Sequence, residues 1–199
     1  MRGVIYIRMP RCGSTSIVDF CRSEKIRFFG GRDMGFWGYD TILKKNTSEK
    51  LHECISNYVG QKVYDESFVF TTARNPYSRA VSMYKHWSWN SAKTFKDFCN
   101  SIKKEEYPSK SAKWHSSTLI EHILDDDHLK VDFVIRLENL QQDFNTVCEK
   151  IRIPNQQLPH KNKSNHKHYT EYYNEETKQI VAEKYAKDIE YFGYKFGEN

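Results

Sequence analysis

Apolar positions fall into short strand-like runs separated by stretches with helical spacing, and the two kinds of segment alternate from the amino terminus onward. Val4 to Arg8 is a β-branched, apolar run that predicts a buried strand. Met9 to Gly13 breaks it as a loop, and Ser14 to Arg22 resumes as a helix with Ile17, Phe20 and Cys21 inward. Residues 28–40 ("FFGGRDMGFWGYD") hold glycines and aromatics without a sustained period, which suits an ordered loop or a short strand followed by a lid, and they are expected to be mainly coil. Asn46 and Glu49 have the form of a capping box opening a helix through about Tyr58. "SFVFTTA" (67–73) predicts a second strand, buried on both faces. Asn75 as N-cap and Pro76 as first helical residue then open a helix reaching about Trp87. Thr94 and Asp97 form another capping box, for a helix to about Lys104, and residues 105–115 read as a polar loop. "VDFVIR" (131–136) is a third strand, followed by a helix carrying Leu140, Phe144, Val147 and Ile151. Residues 154–168 are basic and irregular, and Asn174 caps a long helix with Ile180, Val181, Tyr185, Ile189 and Phe192 on one side.

This alternation predicts an α/β fold with a mainly parallel central sheet flanked by helices. At 199 residues the chain fits a single domain, 1–199, able to bury a real core. Lys plus Arg outnumber Asp plus Glu by 31 to 26, an excess of +5 that suits an anionic ligand but not the dense basic patch of a nucleic-acid binder. The five cysteines show no CxxC pairing, so they are expected to be reduced thiols, and no zinc spacing is visible. Strand-like sequence begins at about residue 3, and no apolar run approaches a membrane span. The expectation is a soluble, cytoplasmic protein without a signal peptide.

The first strand, loop and helix carry the most chemistry. Such a junction points free backbone N–H groups and the positive end of a helix dipole at one spot, where phosphate or sulfate fits. In "MPRCGSTS", Gly13 permits close backbone approach, Ser14, Thr15 and Ser16 add hydroxyls, and Arg11 is a fixed cation. The plainer reading is that "GSTS" only caps the helix. A Walker A loop would need GxxxxGK[ST], and both the first glycine and the lysine are missing. A cysteine-phosphatase loop would need an arginine where Val18 stands, so Cys12 reads as a small loop residue rather than a nucleophile. A phosphosulfate-binding loop tolerates this composition and needs no metal. The second junction, "FTTARNPYSRAVSMY" (70–84), places Arg74 at a strand end and Ser82 on the following helix, where they could share a second phosphate, while Arg79 reads as a structural ion pair.

With these two junctions the sequence resembles the sulfotransferases that use 3'-phosphoadenosine 5'-phosphosulfate (PAPS), and among them the carbohydrate branch that acts on glycan hydroxyls. "MPRCGSTS" resembles that family's 5'-phosphosulfate loop, of the form PKxGSTS, and "ARNPYSRAVSMY" resembles its 3'-phosphate motif. "VDFVIRLENLQQDF" and the C-terminal "LPHKNKS" and "YYNEETKQIVAEKYAKDIEYFGYKF" are similar to its later segments, in the same order. The resemblance implies that Arg11, Cys12, Gly13, Ser14, Thr15 and Ser16 hold the 5'-phosphosulfate and that Arg74 and Ser82 hold the 3'-phosphate. Lys163 and Ser164 would close over the nucleotide. Where the family has lysine this chain has Arg11, which can stabilise charge on the bridging oxygen but does not readily donate a proton.

The reaction implied is in-line transfer of a sulfuryl group to an acceptor hydroxyl, leaving adenosine 3',5'-bisphosphate (PAP). Family members commonly take the base from a histidine or carboxylate before the 3'-phosphate motif, which makes His52 the first candidate and Asp40 the second, although a histidine in that setting is more often on the surface. Asp33 lies with Asp40 in the aromatic loop that could border the acceptor, while His86 and His115, later in the chain, fit less well. Phe36, Trp37, Tyr39, Trp87, Trp89 and Trp114 offer aromatic faces for a glycan or small-molecule acceptor. Competing readings are a non-catalytic PAPS/PAP-binding module and a metal-dependent nucleotide kinase. The broken Walker pattern and the lack of a clear strand-end carboxylate for magnesium disfavour the kinase.

Overall fold

The computed structural model describes residues 3–29, 50–86, 91–158 and 167–198. Asp40, Lys163 and Ser164 lie outside these residues, as do the Asn46–Glu49 box and the aromatics at 36, 37, 39, 87 and 89. The elements group into two compact units, Met1–Ala73 with Glu121–Asn162, and Arg74–Ile120 with Lys163–Asn199.

The first unit contains β1 (Gly3–Ile7), α1 (Ser14–Ser23), β2 (Arg27–Phe29), α2 (Leu51–Val59), α3 (Gln61–Asp65) and β3 (Ser67–Ala73). Strands β1, β2 and β3 join β6 (Phe133–Arg136) in a sheet of order β2-β1-β3-β6, every neighbouring pair parallel. The expected parallel α/β sheet is therefore present. All seven residues of β3 are buried, as a central strand covered on both faces requires. Tyr6, Phe68, Phe70 and Ile135 share one face with Ile17, Phe20 and Cys21 of α1 and with Phe144, Val147 and Cys148 of α8 (Leu140–Ile151). Tyr6 stacks on Phe70 at 4.9 Å, and Phe20 meets Phe144 edge-on at 4.7 Å.

Three elements of this unit go beyond the sequence reading. Phe28 and Phe29 are not coil: they pair with Tyr6 and Ile7 as the edge strand β2, whose order comes from its neighbour rather than from its own pattern. Among the described residues helix α2 spans Leu51–Val59, with Lys50 as an extended N-cap, and Gly60 at φ +93° separates it from α3. A small antiparallel hairpin, β4 (Leu124–Asp125) with β5 (His128–Leu129), precedes β6.

The second unit is helical. Helices α4 (Pro76–Tyr84), α5 (Phe95–Lys103) and α9 (Glu175–Lys184) pack through Tyr77, Val81, Phe98, Ile102, Ile180 and Val181. Asn75 caps α4 by accepting the Tyr77 N–H, and the Thr94/Asp97 box caps α5 as expected. Helix α4 stops at Tyr84, short of Trp87, because the His86 N–H turns back to the Met83 carbonyl. Within 105–115 a helix, α6 (Lys110–His115), replaces the expected loop, capped by Ser109 on the Ala112 N–H. The long C-terminal helix is two, α9 and α10 (Ala186–Phe192), broken at Tyr185, whose buried hydroxyl donates to the Ser116 carbonyl at 3.0 Å. Helix α7 spans Ile120–Ile123.

Candidate functional site

In the sheet, β2 lies on one side of β1 and β3 on the other, so a topological switch point falls at the carboxyl ends of β1 and β3, where α/β sheets bind their ligands. Arg8 to Gly13 leave β1 from this edge, and β3 hands the chain to Arg74 at its own end. Arg11 (φ +62°) and Gly13 (φ +72°) both take the left-handed conformation, which lets amide N–H groups of a tight turn converge on an anion. A side chain at position 13 would also meet a neighbour. A Cβ there would overlap Leu137 Cδ1 and come within 3.4 Å of its Cγ.

Helix α1 answers whether "GSTS" is merely a cap. Its N-cap is Gly13, no side chain caps it, and its first turn holds no acidic residue. The serines do not serve as the N-cap, and the dipole's positive end keeps its pull on an anion. Ser14 and Ser16 are buried and Thr15 is half-buried beside them. Arg11 is also half-buried, and burial pushes its guanidinium below the ordinary arginine value. An arginine so placed is still charged at neutral pH, and a bound anion would offset its desolvation. Cys12 is fully buried and its thiol donates to the Pro10 carbonyl at 3.5 Å, in keeping with a small loop residue. All five cysteines are buried and none is in a disulfide. Arg8, which the motif reading passes over, donates from Nε to Ser14 Oγ at 2.9 Å.

In the second unit, Arg74 donates from Nε and Nη2 to Ser78 Oγ, at 3.0 and 2.7 Å, so a serine one turn along α4 orients the guanidinium. Ser82 is buried on the same helix, whose first turn also carries no acidic residue. The Asn75 amide donates to the Lys195 and Glu198 carbonyls at 2.9 and 3.1 Å, tying the C-terminal segment to the start of α4. Arg79 has the structural role expected of it: wholly buried, it faces Asp188 at 3.8 Å and donates to the His115 carbonyl at 3.0 Å. The Asp188 carboxylate also accepts the Leu119 and Ile120 N–H groups, each at 2.9 Å.

His52 is not on the surface. It is 4% exposed within α2, and its Nε2 is buried with no hydrogen-bond partner. Burial lowers its pKa, against the opposing pull of Glu53 and Asp125. One ligand atom each from His52, Glu53 and Asp125 lies within 4.8 Å of the others, a spacing that could hold a metal ion. Lysines already balance that charge: Lys50 Nζ is 2.6 Å from Asp125 and 3.9 Å from Glu53, and Lys130 Nζ is 3.7 Å from Asp125. The cluster is built from segments that lead into β3 and β6 rather than from those that leave them.

The model of the sulfotransferase family matches residues 2–195. The chain belongs to the sulfotransferase family. It is also 31% identical over 103 residues to an uncharacterized protein of Archaeoglobus fulgidus, an alignment covering 50% of this chain and 80% of that one. No solved structure matches it. Family membership directs the chemistry to sulfuryl transfer, and among the described residues the β1 loop leads into α1 through a glycine N-cap with no side-chain cap. No helix among the described residues is long and apolar enough to cross a membrane.

Proposed function

We propose that this chain is a PAPS-dependent sulfotransferase acting on a hydroxyl of a carbohydrate or similar small acceptor, with one P-loop-like, three-layer catalytic domain. The observation that carries the reading is the junction after β1: a left-handed glycine N-cap, no side-chain cap, no acidic residue in the first turn, and a half-buried arginine, within a chain of this family. In this reading Arg11 to Ser16 hold the 5'-phosphosulfate, Arg74 and Ser82 hold the 3'-phosphate, and Lys163 and Ser164 close over the nucleotide.

The donor brings an activated sulfuryl group whose leaving group is PAP. The acceptor oxygen attacks sulfur, the bond from sulfur to the bridging phosphate oxygen breaks, and the acceptor proton passes to a base. Arg11 offsets the charge growing on the bridging oxygen, and the α1 N–H groups and hydroxyls orient the oxyanions. His52, which burial keeps uncharged and able to accept a proton, and Asp40 are the base candidates. Loss of kcat at unchanged donor affinity in His52→Gln or Asp40→Asn identifies which one acts.

Calorimetry with PAP and with ATP, each with and without magnesium, tests the reading. Metal-independent preference for PAP supports it, and preference for magnesium ATP overturns it. Arg74→Ala should weaken PAP binding at least about tenfold, since hydrogen bonds to charged groups are the strong ones. Arg11 in place of the family lysine favours a second reading, a PAPS/PAP-binding module without turnover. Incubation with PAPS and a panel of hydroxyl acceptors, followed by mass, separates the two. If arginine limits the chemistry, Arg11→Lys raises turnover.

A further inference from the structure

Arg8 lies outside the sequence motif, yet it touches the one hydroxyl that opens helix α1. Its guanidinium Nε donates to Ser14 Oγ at 2.9 Å. A guanidinium has donors only, so in this bond the serine oxygen must be the acceptor, and its own proton points elsewhere. That proton has no acceptor among the described residues, because the bond from Arg8 is the hydrogen bond the Ser14 side chain makes there. Ser14 is 6% exposed, so bulk water is a poor substitute. A buried hydroxyl polarised by a cation, with its proton unassigned, at an uncapped helix N-terminus, is a donor waiting for an anion.

We propose that Arg8 is a positioning residue for the anion of the donor nucleotide: it fixes Ser14 as a one-way donor toward the 5'-phosphate end and adds a second cation to the loop that holds Arg11. This rests on the PAPS reading and sharpens it, since Arg8 acts on the 5' end and not on the 3'-phosphate. The competing possibility is that the pair only staples the β1 loop to α1.

The test compares PAP with adenosine 3'-monophosphate, which lacks the 5'-phosphate, by calorimetry on the full chain. Wild type should bind PAP more tightly. Arg8→Gln should lose about tenfold in PAP affinity while its affinity for the 3'-monophosphate stays within about twofold. Ser14→Ala should lose a comparable factor on the same ligand. The double variant should lose no more than the worse single, because one residue acts through the other. Arg8→Lys, which keeps the charge, should recover part of the loss. Equal losses on both nucleotides, or independent losses that multiply in the double variant, overturn the proposal in favour of a staple. If wild type binds neither nucleotide, the PAPS reading itself falls, an outcome distinct from a silent Arg8→Gln in a chain that binds PAP.

Discussion

Gly13→Ala adds one methyl group to the loop after β1 at a point where the backbone and its neighbour both resist it. At φ +72° an alanine costs about 1–2 kcal/mol relative to glycine, from the clash of Cβ with its own backbone. The new Cβ also overlaps Leu137 Cδ1, while Cγ and Cδ2 of that residue stand at 3.4 and 3.5 Å. Leu137 is half-buried and the overlapping atom is the far end of its side chain, so it can swing aside, and the packing cost falls at the low end of the range for overpacking, about 1 kcal/mol. The sum, about 2–3 kcal/mol, corresponds to a fall in Tm of roughly 4–12 °C for a chain of this size. Thermal melts of wild type, Gly13→Ala, Leu137→Ala and the double variant separate the two parts. In the Leu137→Ala background the glycine substitution should cost only the backbone share. A cost unchanged by removing Leu137 would refute the packing argument, and no cost in either background would refute the left-handed loop.

Asp188→Asn should cost on the order of 3–5 kcal/mol in urea melts, because it strips a wholly buried Arg79 of its counter-charge and weakens the acceptor of two backbone N–H groups. A loss below about 1 kcal/mol would show that the pair is not the keystone of the helical unit. His52 makes stability depend on pH with a defined sign. Its folded pKa is depressed by burial, so above the ordinary value of about 6.5 it contributes nothing, and as pH falls below that the unfolded chain takes up the proton first and stability drops until the folded pKa is passed. Tm should therefore fall more steeply from about pH 7 to about pH 5 in wild type than in His52→Gln, and parallel slopes would count against a buried neutral imidazole.

Local chemistry was enough to read much of the molecule. The run "SFVFTTA" marks β3 at both ends, and Asn75 with Pro76 and Thr94 with Asp97 mark helix starts, because each signal is completed by residues within one turn of itself. The loop between β1 and α1 was legible for the same reason: its glycine, hydroxyls and cation sit in sequence between a strand and a helix, as the structure places them. What escaped the sequence depends on partners far along the chain. β2 exists because β1 offers it a ladder, and Tyr185 breaks a helix to reach Ser116. His52 is buried by packing that its own helical pattern does not reveal. Gly13 answers to Leu137, and Arg79 to Asp188, across more than a hundred positions of chain. Hydrogen-bond ladders, buried charge pairs and steric exclusion are set by distance in space, so only the folded chain could decide which cation holds which hydroxyl and which arginine is structural.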